Sequence, residues 1–203
     1  MPYSAASRLL VKARLRLAGL LLAAGGSERL GQPKQLVTMG GQSLVKRAAR
    51  LLLTQTPNVN VVIGAHSART GQQLNGLPVR IVRNKDWQSG MGGTIACGMN
   101  EIKGNFDGVL ILLCDQWRLE HQDLKKLVEA WRGNPSVPAV ASWKDSFGSP
   151  AIFPGATFKE LQRLEGERGA KQLISRIAPA QYVDLPNAAF DLDTVEDLEK
   201  FEI

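Results

Sequence analysis

The chain has little of what metal clusters, disulfide scaffolds and histidine chemistry are built from. Two cysteines in 203 residues, Cys97 and Cys114, give neither a metal-ligand spacing nor a disulfide framework. Both fall in apolar segments, as small buried residues do, and such usage fits a reducing compartment, so a cytoplasmic location is expected. Two histidines, His66 and His121, lie in settings without partners for acid–base work. No apolar run reaches the roughly 18 residues of a membrane-spanning helix. Aromatic residues make up 6% of the chain, and acids (19) fall short of bases (25). The net charge of +6 favours an anionic ligand. The cations are spread along the chain with few aromatics between them, which excludes a nucleic-acid face and leaves a local anion site. No repeat, low-complexity stretch or linker is present.

What remains is an alternation of strands, glycine-rich loops and amphipathic helices, expected to form one domain over 17–203 behind a basic, acid-free extension over 1–16. Strands are expected at Leu17–Ala24, Val59–Ile63, Val79–Val82, Gly108–Leu113, Pro138–Ser142, Ser149–Phe153 and Tyr182–Leu185. Helices are expected after Ser43, which can cap, over Thr94 to about Ile102, from about Glu120, and from Gly169–Ala170 through Leu173, Ile174 and Ile177. A capping box, Thr194 with Asp197, precedes the last helix. The first strand is apolar throughout, the kind buried on both faces of a parallel sheet, and the alternation with helices points to an α/β protein with a mostly parallel sheet.

The chain is organised around Leu22-Ala23-Ala24-Gly25-Gly26-Ser27-Glu28-Arg29-Leu30-Gly31-Gln32-Pro33-Lys34, which leaves the end of the first strand. Glycines here let amide groups approach a ligand, with Gly25, Gly26 and Gly31 free to take positive φ, and Arg29 and Lys34 set fixed positive charge beside them. That combination suits a polyphosphate. No Gly-Lys-Ser/Thr follows, so it is not a Walker loop, and the Gly-x-Gly-x-x-Gly spacing of a dinucleotide site is missing. A second glycine-rich loop, Ser89 to Thr94, leads into a helix. Asp115 stands just past the most apolar strand, where a carboxylate adds nothing to stability and could hold a cation against phosphate. Asp191, Leu192 and Asp193 precede the last helix; Asp193 can serve the cap, whereas Asp191 has no local reason to be there.

These motifs, in this order, resemble the nucleotidyltransferases related to the molybdenum cofactor guanylyl- and cytidylyltransferases, the MobA-like NTP transferases. The resemblance rests on the first loop, the Gly-Met segment at Gly90–Met91, Cys114-Asp115-Gln116, Gly166-Glu167-Arg168-Gly169-Ala170-Lys171 and Asp191-Leu192-Asp193-Thr194, and it covers almost everything after residue 16. It implies a Rossmann-like, three-layer (GT-A-like) fold and transfer of a nucleotidyl group to a phosphate with release of pyrophosphate. By resemblance the nucleotide is held by Ala23, Ala24, Gly25, Gly26, Ser27, Arg29, Lys34, Gly92, Gly93 and Thr94. The catalytic group is Lys34, Arg29 and Asp115. Asp115, Asp191 and then Asp193 would hold Mg2+. Ser149, Pro150, Gly169, Ala170 and Lys171 would meet the acceptor. The chain departs from the family at Trp117, where a proline is usual. Alanine at position 24 and Gln32-Pro33-Lys34 are similar to the cytidylyl branch, so CTP and the molybdopterin cofactor are the expected substrates, with a molybdoenzyme or its chaperone as protein partner. Three alternatives stay open: a guanylyltransferase or another cytidylyltransferase of the same fold, a glycosyltransferase reading Asp191-Leu192-Asp193 as Asp-x-Asp, and a non-catalytic nucleotide-binding chaperone.

Overall fold

A computed structural model describes residues 15–167, 169–176 and 179–201. The elements run β1 (Leu17–Ala23), β2 (Thr38–Met39), β3 (Gln42–Ser43), α1 (Leu44–Leu53), β4 (Val59–Ile63), α2 (Ser67–Gln73), β5 (Val79–Arg83), α3 (Met91–Glu101), β6 (Gly108–Leu113), α4 (His121–Gly133), β7 (Ala139–Trp143), β8 (Ser146–Pro154), α5 (Phe158–Leu161), α6 (Ala170–Arg176), β9 (Gln181–Asp184) and α7 (Val195–Phe201). Seven strands form one sheet in the order β5-β4-β1-β6-β8-β7-β9, and β2 pairs with β3 as a separate ribbon. The β1/β4, β1/β6, β4/β5 and β7/β9 pairs are parallel, while β8 runs antiparallel to both its neighbours.

The all-apolar sequence of β1 is explained by its place: every residue of it is buried. Leu17, Leu21 and Ala23 face a core built with α1 and α4, and Ala18, Leu20 and Leu22 face a second core built with α3, α5 and α6. Two helical layers thus enclose the sheet, as a buried parallel sheet requires. The strand reversal at β8 differs from a pure parallel sheet because Lys144 and Asp145 turn β7 straight back into β8 as a hairpin. The segment Trp143–Gly148, between two expected strands, is therefore mostly strand.

Local chemistry differs from expectation at a few element ends. Ser43 precedes α1 but makes no side-chain capping bond; its hydroxyl is buried without a partner. Helix α4 begins behind a capping box in which Glu120 and Asp123 bond each other's backbone amides. Helix α3 starts three residues before Thr94, at Met91. The Thr194–Asp197 cap is present, with the Asp197 carboxylate accepting from the amides of Asp193 and Thr194 at 3.1 and 3.0 Å. Residues 1–14, Arg168 and Ile177, to which the extension, the Gly166–Lys171 motif and the last turn of α6 were assigned, lie outside the described residues.

Candidate active site

Parallel strands β1 and β6 end side by side, and both candidate loops leave from that edge, where open α/β sheets bind ligands. Of the glycines expected at positive φ, Gly31 has it (70°), whereas the tight point of the first loop is Ser27 (60°). The Ser27 hydroxyl accepts the Lys34 amide at 3.1 Å and so closes the loop on itself. Gln35, a residue that the sequence did not single out, is fully buried, and its side-chain amide donates to the Gly25 carbonyl at 2.7 Å. With that carbonyl engaged by Gln35, Ala24, Gly25 and Gly26 line a cavity of about 570 Å³. That volume lies in the range of small-molecule sites.

At the floor of this cavity the Lys34 ammonium donates to Asp115 at 2.5 Å and to Asp193 at 2.8 Å. Arg29 reaches the other Asp193 oxygen at 3.1 Å. The second Asp115 oxygen, Oδ1, is buried and has no hydrogen-bond partner. Burial acts to lower the Lys34 pKa, but the charge and hydrogen bond of Asp115, with the bond to Asp193, more than offset it and hold the ammonium above its ordinary value. Partial burial pushes Asp193 up, yet Lys34 and Arg29 outweigh it and hold that carboxyl below the usual range. Asp191 is exposed to solvent by surface area, yet the protein packed about it and then the charges of Asp115 and Asp193 push it up to about 7.

Asp191 does not itself line the cavity; its backbone is held next to Asp115. Gln116 and Asp191 form an isolated antiparallel bridge, and the Leu192 amide donates to the Asp115 carbonyl at 3.1 Å. Trp117, in the position of the usual proline, is buried with Leu30, Leu44 and Leu192 and meets the Phe190 ring edge-on at 6.2 Å. Its bulk therefore holds the Asp191 segment against β6. Among the described residues, no set of three or more His, Cys, Asp or Glu side chains is arranged to hold a metal. The expected trio Asp115, Asp191 and Asp193 is instead divided: Asp193 is committed to Lys34 and Arg29.

The second glycine loop contributes differently from expectation. Gly92 and Gly93 do not line the cavity; Trp87, Gln88, Gly90, Met91 and Thr94 do. Because α3 already begins at Met91, the Gly92 amide turns away and donates to the Gly166 carbonyl at 2.8 Å. Gly90 (φ 99°) fits against Gly166 so closely that a Cβ there would lie 2.5 Å from its carbonyl carbon. The buried Thr94 hydroxyl donates to the Gly90 carbonyl and accepts from Asn84, both at 3.1 Å. The glycines of two separate motifs thus lock together, and Trp87 lies against Gly26 of the first loop.

The expected acceptor residues separate into two groups. Ser149, Gly169 and Lys171 line a smaller cavity beside the first. Pro150 is buried and does not line it; Ala170 opens α6. Ser149 is fixed by Gln116, another residue missed in the sequence, which donates to the Ser149 carbonyl at 2.7 Å and accepts from its hydroxyl at 2.8 Å. His66 is exposed at the start of α2, and His121 bonds Thr54 and Gln55 at the start of α4.

Known proteins bear on this geometry. Residues 19–182 match the sequence model of the MobA-like NTP transferase domain. A protein named nicotine blue oxidoreductase, from Paenarthrobacter nicotinovorans, is 31% identical over 89% of this chain and 93% of its own length. A probable molybdenum cofactor guanylyltransferase from Rhodopirellula baltica is 29% identical over 90% of both. The crystal structure of Rv0371c from Mycobacterium tuberculosis superposes with a TM-score of 0.77 at 23% identity, covering 93% of this chain and 98% of that one, and a manganese complex of the same protein matches at 0.72. At that identity the likeness concerns the fold. With the family profile spanning the loop that carries Lys34, the strand that ends at Asp115 and the Gly166–Lys171 segment, the chain belongs to the MobA-like NTP transferase family.

Proposed function

We propose that the chain transfers the CMP group of CTP to the phosphate of the molybdopterin cofactor, with release of pyrophosphate. The observation that carries this reading is the Lys34 ammonium held between Asp115 and Asp193 on the floor of a nucleotide-sized cavity, with one buried Asp115 oxygen left over. A buried carboxylate oxygen without a donor is costly unless a cation or donor arrives with the ligand. Mg2+ fits this donor set: Asp115 with Asp191 would hold it, two carboxylates and waters being enough for that ion. Bound there, it supplies positive charge against the triphosphate and its leaving group.

The protein's own part is positioning and charge. Amides of Gly25 and Gly26 hold phosphate oxygens, Arg29 faces the departing β- and γ-phosphates, and Lys34 moves from its carboxylate partners to the α-phosphate as negative charge builds. An ionised acceptor phosphate needs no general base, in keeping with the remote His66 and His121. Two cations, Lys34 and Arg29, share the cavity with the four carboxylates of Glu28, Asp115, Glu167 and Asp193, which leaves room for added positive charge. For the base, the buried methyl of Ala24 narrows the cavity wall and favours a pyrimidine. GTP is the second reading, favoured by relatives named as guanylyltransferases. The test is pyrophosphate release with Mg2+, molybdopterin cofactor and each of CTP, GTP, ATP and UTP. Release with CTP alone, lost in Asp115→Ala, is the expected result; release with GTP alone overturns the base assignment, and release with none overturns the reaction.

A further inference from the structure

We infer that Trp87 is a positioning residue: its indole ring props the Gly25–Gly26 turn of the first loop, so that the amides there stay free and in place for phosphate oxygens. The inference rests on the proposed nucleotide reading and names a residue that holds its phosphate site. Among the described residues, neither the Gly25 amide nor the Gly26 amide donates to protein. The turn is tied on its acceptor side alone. The Ala65 amide donates to the Ala24 carbonyl at 2.9 Å, and Gln35 donates to the Gly25 carbonyl at 2.7 Å. A polar brace on the donor side would occupy the very groups that a phosphate needs. An apolar surface holds backbone without using its N–H groups.

The Trp87 ring supplies that surface. A Cβ at Gly26 would lie 3.1 and 3.2 Å from Cζ3 and Cη2 of the ring. A Cβ at Gly64, just past β4, would lie 2.6 Å from Trp87 Cβ and 2.9 Å from Cγ. The stem of the side chain thus crosses Gly64 and its far edge reaches Gly26, and both approaches need a residue without a side chain. Trp87 is itself held from two directions. Asn84, at the end of β5, accepts the Asp86 amide at 3.0 Å and donates to the Thr94 hydroxyl of α3 at 3.1 Å. The Gly90 amide donates to the Trp87 carbonyl at 3.2 Å. The ring is partly buried, packs against the core that includes Val62, Val82 and Ile95, and lines the nucleotide cavity. Glycine loses more freedom on ordering than any other residue, so a glycine turn held beforehand binds phosphate more tightly than one that the ligand must order.

The test uses the full chain and three probes, inorganic triphosphate, CTP and cytidine, titrated by calorimetry, with the Gly26 amide followed by NMR relaxation. Trp87→Leu keeps an apolar stem and removes the ring. It is expected to weaken inorganic triphosphate and CTP by the same factor, about tenfold, the cost of ordering about one residue on binding, and to leave cytidine unchanged. The Gly26 order parameter should fall in that variant without ligand and recover with triphosphate. Gly26→Ala sets a methyl group 3.1 Å from the ring and should also weaken triphosphate binding. Gly26→Ala/Trp87→Leu should bind triphosphate at least about twofold tighter than the product of the two single losses, since the ring is what the methyl meets. Trp87→Phe, with a shorter ring, serves if leucine fails to fold and should show the same pattern with a smaller loss. A loss confined to CTP and cytidine makes Trp87 a base contact and overturns the prop. An unchanged Gly26 order parameter, or single losses that simply multiply, overturns it as well. A native chain that binds neither triphosphate nor CTP overturns the nucleotide reading, and the phosphate role with it, even where Trp87→Leu still loosens Gly26.

Discussion

Replacing Lys34 with methionine keeps an unbranched stem and removes only the ammonium, which makes it a direct measure of the charge cluster. In the native protein that ammonium is the donor to Asp115, whose side chain is 9% exposed and whose other oxygen already lacks a partner. Lys34→Met therefore leaves an ionised carboxylate buried with neither oxygen bonded. Breaking a buried pair in this way costs about 3–5 kcal/mol. Asp193 softens the loss only slightly, because its side chain is 36% exposed, can rehydrate and keeps Arg29. For a domain of this size each kcal/mol lowers the melting temperature by about 2–4 °C, so a fall of about 6–20 °C is expected in EDTA. Removing both charges in Lys34→Met/Asp115→Leu should recover at least about 2 kcal/mol relative to the sum of the single changes, as groups in direct contact do in such cycles. Millimolar Mg2+ should raise the melting temperature of Lys34→Met more than that of the native chain, since a cation then meets an unpaired carboxylate. Thermal and urea unfolding followed by circular dichroism supply all four values. A Lys34→Met protein that melts within about 1 °C of the native one, or energies that simply add, would refute the buried-pair argument.

Three further outcomes follow from other parts of the site. With Asp191 raised from 3.8 to about 7, the folded, metal-free protein holds a proton that the unfolded chain releases, so this group's contribution to stability is full below about pH 4 and is lost as pH rises through 7. Asp191→Asn should flatten the fall in urea midpoint between pH 5 and 8, and an unchanged slope sinks the assignment. Gln35→Leu removes the bond to the Gly25 carbonyl along with an oxygen that has no partner, so it should change stability by no more than about 1 kcal/mol. Its effect should appear instead as weaker CTP binding by calorimetry, because the first loop loses its brace. Gly90→Ala forces a Cβ to within 2.5 Å of the Gly166 carbonyl carbon at a φ of 99°. It should open the 166–169 segment to limited proteolysis and cost about 1–3 kcal/mol of strain; a variant as protease-resistant as the native chain would show that the interlock does not hold the segment.

Much of the molecule is written in local sequence because local rules sufficed there. The largely apolar run at Val59–Ile63, broken only by Asn60, and the unbroken one at Gly108–Leu113 became β4 and β6 with the expected bounds, since strands buried on both faces read as near-continuous apolar segments. The Thr194–Asp197 cap is a three-residue relation and formed as read. Asp115, just past β6, stood out as a carboxylate without a structural excuse, and it does lie at the cavity floor. Long-range partners were not legible. Nothing near residue 35 says that Gln35 holds the carbonyl of Gly25, nor does Gln116 announce Ser149. The sequence ranked Asp191 ahead of Asp193 from the local cap and the family resemblance, but it could not show that Asp193 is engaged across 159 residues by a hydrogen bond from Lys34. The spare amides expected at Gly92 went to Gly166, a partner 74 residues away by number. Composition, periodicity and short motifs thus determined the strands, the helices and which loops carry charge. Only the tertiary structure decided which charges neutralise one another, because electrostatic pairing depends on distance in space and on burial, and neither is a property of neighbours along the chain.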